Sequence, residues 1–88
     1  MNDVVIWTGA GQIGMAIARR IGFDKKIMVG DKNLSNAEAI AKIMNDAGFD
    51  AEPVEMDLSS RNSILNMVGK AQEYGEITAL INAAGVSP

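Results

Sequence analysis

Three glycines, Gly9, Gly11 and Gly14, fall within the segment Gly9-Ala10-Gly11-Gln12-Ile13-Gly14. The apolar run Val4-Val5-Ile6-Trp7-Thr8 precedes them, and a stretch with helical spacing follows. Glycines between a strand and a helix let backbone come close to a bound anion. The free N–H groups and positive dipole end of the helix then face that anion. The three glycines serve different ends. Gly9 permits the tight turn, Gly11 leaves room for a pyrophosphate, and Gly14 lets the helix pack close to the strand. Asp31 stands 22 residues after Gly9, at the end of a second apolar run. A carboxylate there can accept hydrogen bonds from an adenosine ribose. The blander alternatives are a strand-to-helix turn that needs glycine for steric reasons, and an Asp31 that is a solvated carboxylate or a helix cap.

The same residues bear on cofactor choice. Asp31 welcomes a 2′-hydroxyl and repels a 2′-phosphate, and no arginine or lysine lies inside the glycine loop. NAD is therefore favoured over NADP, with Lys32 the one neighbour that could rescue a 2′-phosphate. Other chemistries are disfavoured by composition. With no cysteine there is no disulfide framework and no thiolate metal site, and with no histidine the commonest metal ligand and general base are missing. A net charge of -3 offers no basic footprint for nucleic acid. No apolar run is long enough to cross a bilayer. Met1-Asn2-Asp3 lacks a basic leader region, so a cytoplasmic location is expected.

The elements that must position these residues come from a repeat. Apolar runs begin at Val4, Ile27, Val54 and Ile77, with starts 23, 27 and 23 residues apart. Segments of helical periodicity separate them, which reads as βαβ units and a parallel sheet. The first helix should start near Gln12, with Ile13, Ala16, Ile17 and Ile21 as its stripe and Gly22 at its C-terminal stop. The second should start near Ser35, where Ser35-Asn36-Ala37-Glu38 fits a capping box, and stop at Gly48. The third should start after Ser59 or Ser60, carry Ile64, Met67, Val68 and Ala71 inward, and stop at Gly75. Gly69 lies inside it, at a cost of roughly 1 kcal/mol relative to alanine. Glu52-Pro53 and the alternation Val54-Glu55-Met56-Asp57 suggest an edge strand. The order 3-2-1-4 satisfies this pattern and makes the fold class α/β, a Rossmann-type doubly wound parallel sheet. Right-handed crossovers put the first two helices on one face and the third on the other. That leaves one face thinly covered and the fourth strand, Ile77 to Asn82, as an apolar edge. The packing predicts that residues 1–88 are the N-terminal part of one longer dinucleotide-binding domain, and that alone they are marginally stable or self-associate.

Met56-Asp57-Leu58 ends the third strand and Asn82-Ala83-Ala84-Gly85 ends the fourth, and the carboxyl ends of strands are where doubly wound sheets bind ligands. With Thr8-Gly9-Ala10-Gly11-Gln12-Ile13-Gly14 and Asp31, they make the chain resemble the short-chain dehydrogenases/reductases along its whole length. The resemblance implies roles by position. Asp57 would meet the adenine amino group, with Leu58 adding backbone contacts. Ile13 would contact the pyrophosphate through its backbone. Asn82, Ala83 and Gly85 would stabilise the central sheet and pass beside the nicotinamide ribose. Asp57 could instead cap the third helix, and Asn82 could be a buried side chain that joins neighbouring strands. The glycine loop is one residue shorter than the common family pattern, and Ile81 stands where the family usually has a first asparagine.

The family's catalytic tyrosine and lysine, four residues apart, have no counterpart here. The only tyrosine is Tyr74, and Thr78 follows it at that distance. Tyr74 reads as a packing or surface residue, Trp7 as core, and the internal methionines as core filler. The resemblance implies an oxidoreductase that passes hydride between a nicotinamide cofactor and an alcohol or carbonyl substrate, with the acid–base residues beyond residue 88 and a homo-oligomer in full-length form. A non-catalytic dinucleotide sensor and a nucleotide-sugar epimerase or dehydratase are the alternatives on the same fold.

Overall fold

The computed structural model describes residues 2–9, 12–57 and 59–82, and the side chains among them other than those of residues 2, 12–15 and 82. Strands and helices alternate: β1 (Asn2–Thr8), α1 (Gln12–Ile21), β2 (Lys26–Asp31), α2 (Leu34–Asp46), β3 (Asp50–Glu55), α3 (Arg61–Gln72) and β4 (Gly75–Asn82). The strands form one parallel sheet in the order β3-β2-β1-β4, as the repeat predicts.

Both faces of the central strands are buried, so their sequences read as continuous apolar runs rather than alternating ones. Val5, Trp7, Ile27 and Val29 pack with Ala18 of α1 and Ala37, Ala41 and Met44 of α2. Val4, Ile6 and Met28 point the other way, onto Met67 and Ala71 of α3. The helices thus divide between the faces as right-handed crossovers require. Met67 is fully buried, and truncating such a side chain costs about 2–5 kcal/mol. Among the described residues α3 is the only helix on its face. Beside it runs an apolar groove of about 310 Å³, lined by Ile6, Met56, Ile64, Met67, Val68, Ile77 and Leu80 among others. No described helix is long and apolar enough to cross a membrane.

Several local expectations need correction. Ala16 and Ile17, expected on the apolar stripe of α1, are exposed, and Ala18 is the residue of that helix buried in the core. The third strand is Asp50–Glu55, not Val54–Asp57, and Pro53 stands inside it opposite Val29. Among the described residues this strand pairs only with β2, at the sheet's edge, the place where a strand tolerates proline. The second helix is capped by Asn33 rather than by a Ser35 box: Asn33 Oδ1 accepts the Ser35 N–H at 2.9 Å. Gly75 does not stop α3; it opens β4 opposite Asn2, and α3 ends in a turn with the Tyr74 N–H on the Ala71 carbonyl. Gly22 is not left-handed. It is needed because a Cβ there would sit 2.5 Å from the Ala18 carbonyl oxygen and 2.6 Å from Ile27 Cδ1. Gly48 does end α2 as expected, with φ +95°, while Phe49 N–H bonds to the Met44 carbonyl in a Schellman arrangement.

One irregularity decides how the last strand packs. Val4 pairs with Ile77 but Val5 pairs with Ala79, so Thr78 is an extra residue in β4. The shift sends Ile77 to the α3 face and Ala79 and Ile81 to the opposite face. Leu80 is left 66% exposed beside the groove.

Candidate functional site

Parallel strands deliver their carboxyl ends to one side of the sheet, and that is where the predicted residues meet. A cavity of about 240 Å³ is lined by Thr8, Gly9, Gly30, Asp31, Lys32, Met56 and Asp57. Gly9 leaves β1 with φ +74°, a conformation that disfavours any side chain. Its N–H donates to the Gly30 carbonyl at 3.0 Å. Gln12, Ile13 and Gly14 form the start of α1, so that helix's N-terminus lies at the same end of the sheet. Gly11 lies outside the described residues, as do Leu58, Ala83 and Gly85. Asn82 is the last residue of β4 and pairs with Thr8.

The two acids are held in related ways. Asp31 is half-buried at the end of β2, and its Oδ1 accepts the Asn33 N–H at 2.9 Å. Asn33 in turn caps α2, so one short chain of hydrogen bonds joins the Asp31 carboxylate to the helix. The Met56 N–H donates to the Asp31 carbonyl at 2.8 Å and fixes the end of β3 beside that of β2. Asp57 follows directly. Its Oδ1 accepts both the Ser59 N–H at 2.9 Å and the Ser59 hydroxyl at 2.7 Å, and its own N–H donates to Ser63 Oγ at 2.9 Å. The Ser59 hydroxyl, then the Ser59 N–H and the nearby Lys32 charge, hold the Asp57 carboxyl below the usual aspartate range, against a smaller opposing effect of desolvation. Asp57 does not cap α3; that is done by Ser60, whose hydroxyl accepts the Ser63 N–H at 3.3 Å.

Sequence reasoning misses Asn33, Ser59 and Ser63 as supports of the site. A signal is present in Asp31-x-Asn33 and Asp57-x-Ser59, because a carboxylate commonly bonds the backbone two residues on. Tyr74 is elsewhere. It precedes β4, at the opposite end of the sheet, and its hydroxyl donates to Glu52 Oε1 at 2.6 Å. Among the described residues no group of three potential ligands could hold a metal ion.

A parallel sheet in this order, with helices on both faces, defines a Rossmann-type α/β protein. Residues 3–88 match the family described as short chain dehydrogenase, and the chain belongs to that family of oxidoreductases. A short-chain dehydrogenase/reductase of Alternaria brassicicola is 35% identical over 87 residues, which covers 99% of this chain and 32% of that protein. The fold is similar to that of a short-chain dehydrogenase from Rhodopseudomonas palustris, with a TM-score of 0.84 and 19% identity over 100% of this chain and 42% of that one. It is also similar to a protein from Haemophilus influenza assigned as a D-mannonate oxidoreductase and solved with bound NAD, with a TM-score of 0.76 and 23% identity over 90% of this chain and 29% of that one. The chain spans about a third of the length of the curated relative.

Proposed function

We propose that these residues are the cofactor-binding part of a short-chain dehydrogenase that uses NAD in preference to NADP. The observation that carries this reading is the placement of Asp31 and the left-handed Gly9 turn on one cavity, tied together through Gly30. An adenosine half suits the groups present. Asp31 keeps acceptor capacity for ribose hydroxyls, and Asp57 keeps an oxygen for the adenine amino group. Gly11, Gln12, Ile13 and Gly14 would hold the pyrophosphate through backbone N–H groups at or just before the start of α1, while Gly9, whose N–H stays on the Gly30 carbonyl, would give the cofactor room through its left-handed turn. Leu58 would add backbone contacts near the adenine, and Asn82, Ala83 and Gly85 would run beside the nicotinamide ribose.

The bound dinucleotide would supply the hydride chemistry at an alcohol or carbonyl carbon. This chain's residues do the binding and orienting. Tyr74 is tied to Glu52 away from the cavity, so the proton-transfer residues of the whole protein belong elsewhere in it. A homo-oligomer of that whole protein is proposed from its family membership.

Calorimetric titration of the chain with NAD and NADP tests the proposal. NAD is expected to bind about ten-fold or more tightly, since a phosphate facing Asp31 meets a like charge. Asp31→Ser is expected to erase the preference. Equal affinity for both cofactors in the unmodified chain would overturn the NAD assignment, and absence of binding to either would overturn the cofactor reading.

A further inference from the structure

The two outer strands of the sheet are built differently. β3 carries Asp50, Glu52 and Glu55, with Pro53 inside it. Charges and a proline keep a strand edge from pairing with another chain. The second half of β4 has no such guard. Thr78-Ala79-Leu80-Ile81-Asn82 holds no charge and no proline. Among the described residues β4 pairs with β1 alone, so its outer edge presents backbone N–H and carbonyl groups for a further strand. Leu80, 66% exposed, stands on this strand beside the apolar groove.

The segment is complementary to itself. Past the extra residue at Thr78, the pairing with β1 is regular from Ala79 to Asn82. An antiparallel copy centred on Leu80 sets Leu80 beside Leu80 on the groove face. It sets Ala79 beside Ile81 on the other face, where both pack with the α1 and α2 core. Thr78 falls beside Asn82, so polar residues meet at the ends. Glu76 lies outside the paired segment and faces no like charge. A parallel, in-register copy would instead place Glu76 beside Glu76, which is unfavourable.

We propose that two copies of the 88-residue chain join edge to edge through β4, antiparallel, with Leu80 on the two-fold axis. Two four-stranded sheets then run on as one. The contact is isologous, the same patch serving both copies. It covers the two Leu80 side chains with each other. The cavity at the ends of β1, β2 and β3 lies away from this junction, so both candidate sites stay open. The inference stands apart from the cofactor reading.

The chain has no cysteine, which makes the test direct: Leu80→Cys introduces a single thiol. Residues opposite each other in an antiparallel pair have Cα atoms about 4.5–5.5 Å apart. A disulfide spans about 4.4–6.8 Å between Cα atoms. Mild oxidation is expected to turn most of Leu80→Cys into a covalent dimer. Asp50→Cys, on the guarded edge, is expected to stay monomeric under the same conditions. Sedimentation equilibrium of the unmodified chain should give twice the chain mass. Leu80→Lys should weaken association about ten-fold or more, with circular dichroism checking that it folds. Thr78→Lys, at an exposed position of the same segment, should act in the same direction and replaces Leu80→Lys if that variant does not fold. An unmodified chain that stays monomeric at millimolar concentration overturns the proposal and leaves the edge to a different strand. So does a dimer that both folded lysine variants leave unchanged, or cross-linking of Asp50→Cys without that of Leu80→Cys.

Discussion

The N–H of Gly9 meets the carbonyl of Gly30 at 3.0 Å, across the gap between the ends of β1 and β2. This bond joins the two halves of the candidate site, because Asp31 is the next residue after Gly30. Gly9 reaches it only with φ +74°. Gly9→Ala should therefore cost about 1–2 kcal/mol in stability, from the left-handed conformation alone. It should also weaken NAD binding, because the turn can relax only by moving away from Asp31. Chemical denaturation and calorimetry on the same variant would check both effects.

Two glycines near helix ends or interiors should respond in opposite directions to alanine. A Cβ on Gly69 meets nothing within 4 Å, so Gly69→Ala should stabilise the chain by about 0.5–1 kcal/mol. A Cβ on Gly22 runs into the Ala18 carbonyl, which is backbone and cannot swing aside. Gly22→Ala should destabilise by about 1–3 kcal/mol. Denaturation midpoints of the two variants, compared with the unmodified chain, give the signs directly.

The single tyrosine offers a clean titration. The hydrogen bond to Glu52 raises the Tyr74 phenol above its ordinary value, aided by desolvation and by the Glu52, Glu73 and Asp50 charges. The stabilising contribution is thus full below the ordinary phenol range and is lost as pH rises through the raised value. Ultraviolet titration should give a midpoint above about 10, the value of a free phenol. Glu52→Ala should move it back down. A midpoint at the free value in the unmodified chain would show that the bond does not persist in solution.

At the acid end the sign reverses. The Ser59 hydrogen bonds hold the Asp57 carboxyl below its ordinary range, so its contribution is present above that range and is lost as pH falls through the lowered value. Carbon-detected nuclear magnetic resonance of the Asp57 carboxyl should follow this titration. Ser59→Ala should raise the midpoint.

Much of the architecture is legible because period and spacing report burial directly. The runs at Val4 and Ile27 are apolar on both faces, which marks central strands, and their repeat dictates a parallel sheet. The glycine loop and Asp31 are legible for a related reason: a backbone conformation closed to other residues is followed at a set distance by an acid. The third strand is less legible, because Pro53 in sequence marks a strand's start. Only the position of β3 at the edge shows why proline is tolerated in the middle.

By itself, the sequence determined the order of elements, the faces of the helices and the acids at the strand ends, since each follows from local periodicity and chain connectivity. Tertiary structure alone decided the clamp of Ser59 and Ser63 on Asp57, the capping of α2 by Asn33, and the extra residue at Thr78. Each depends on which of several competing hydrogen bonds is satisfied once the elements are docked. Thr78 shows the reason most plainly. Ile77, Ala79 and Ile81 alternate in sequence as if they shared one face, and pairing with β1 shifts the register so that Ile77 serves the opposite face.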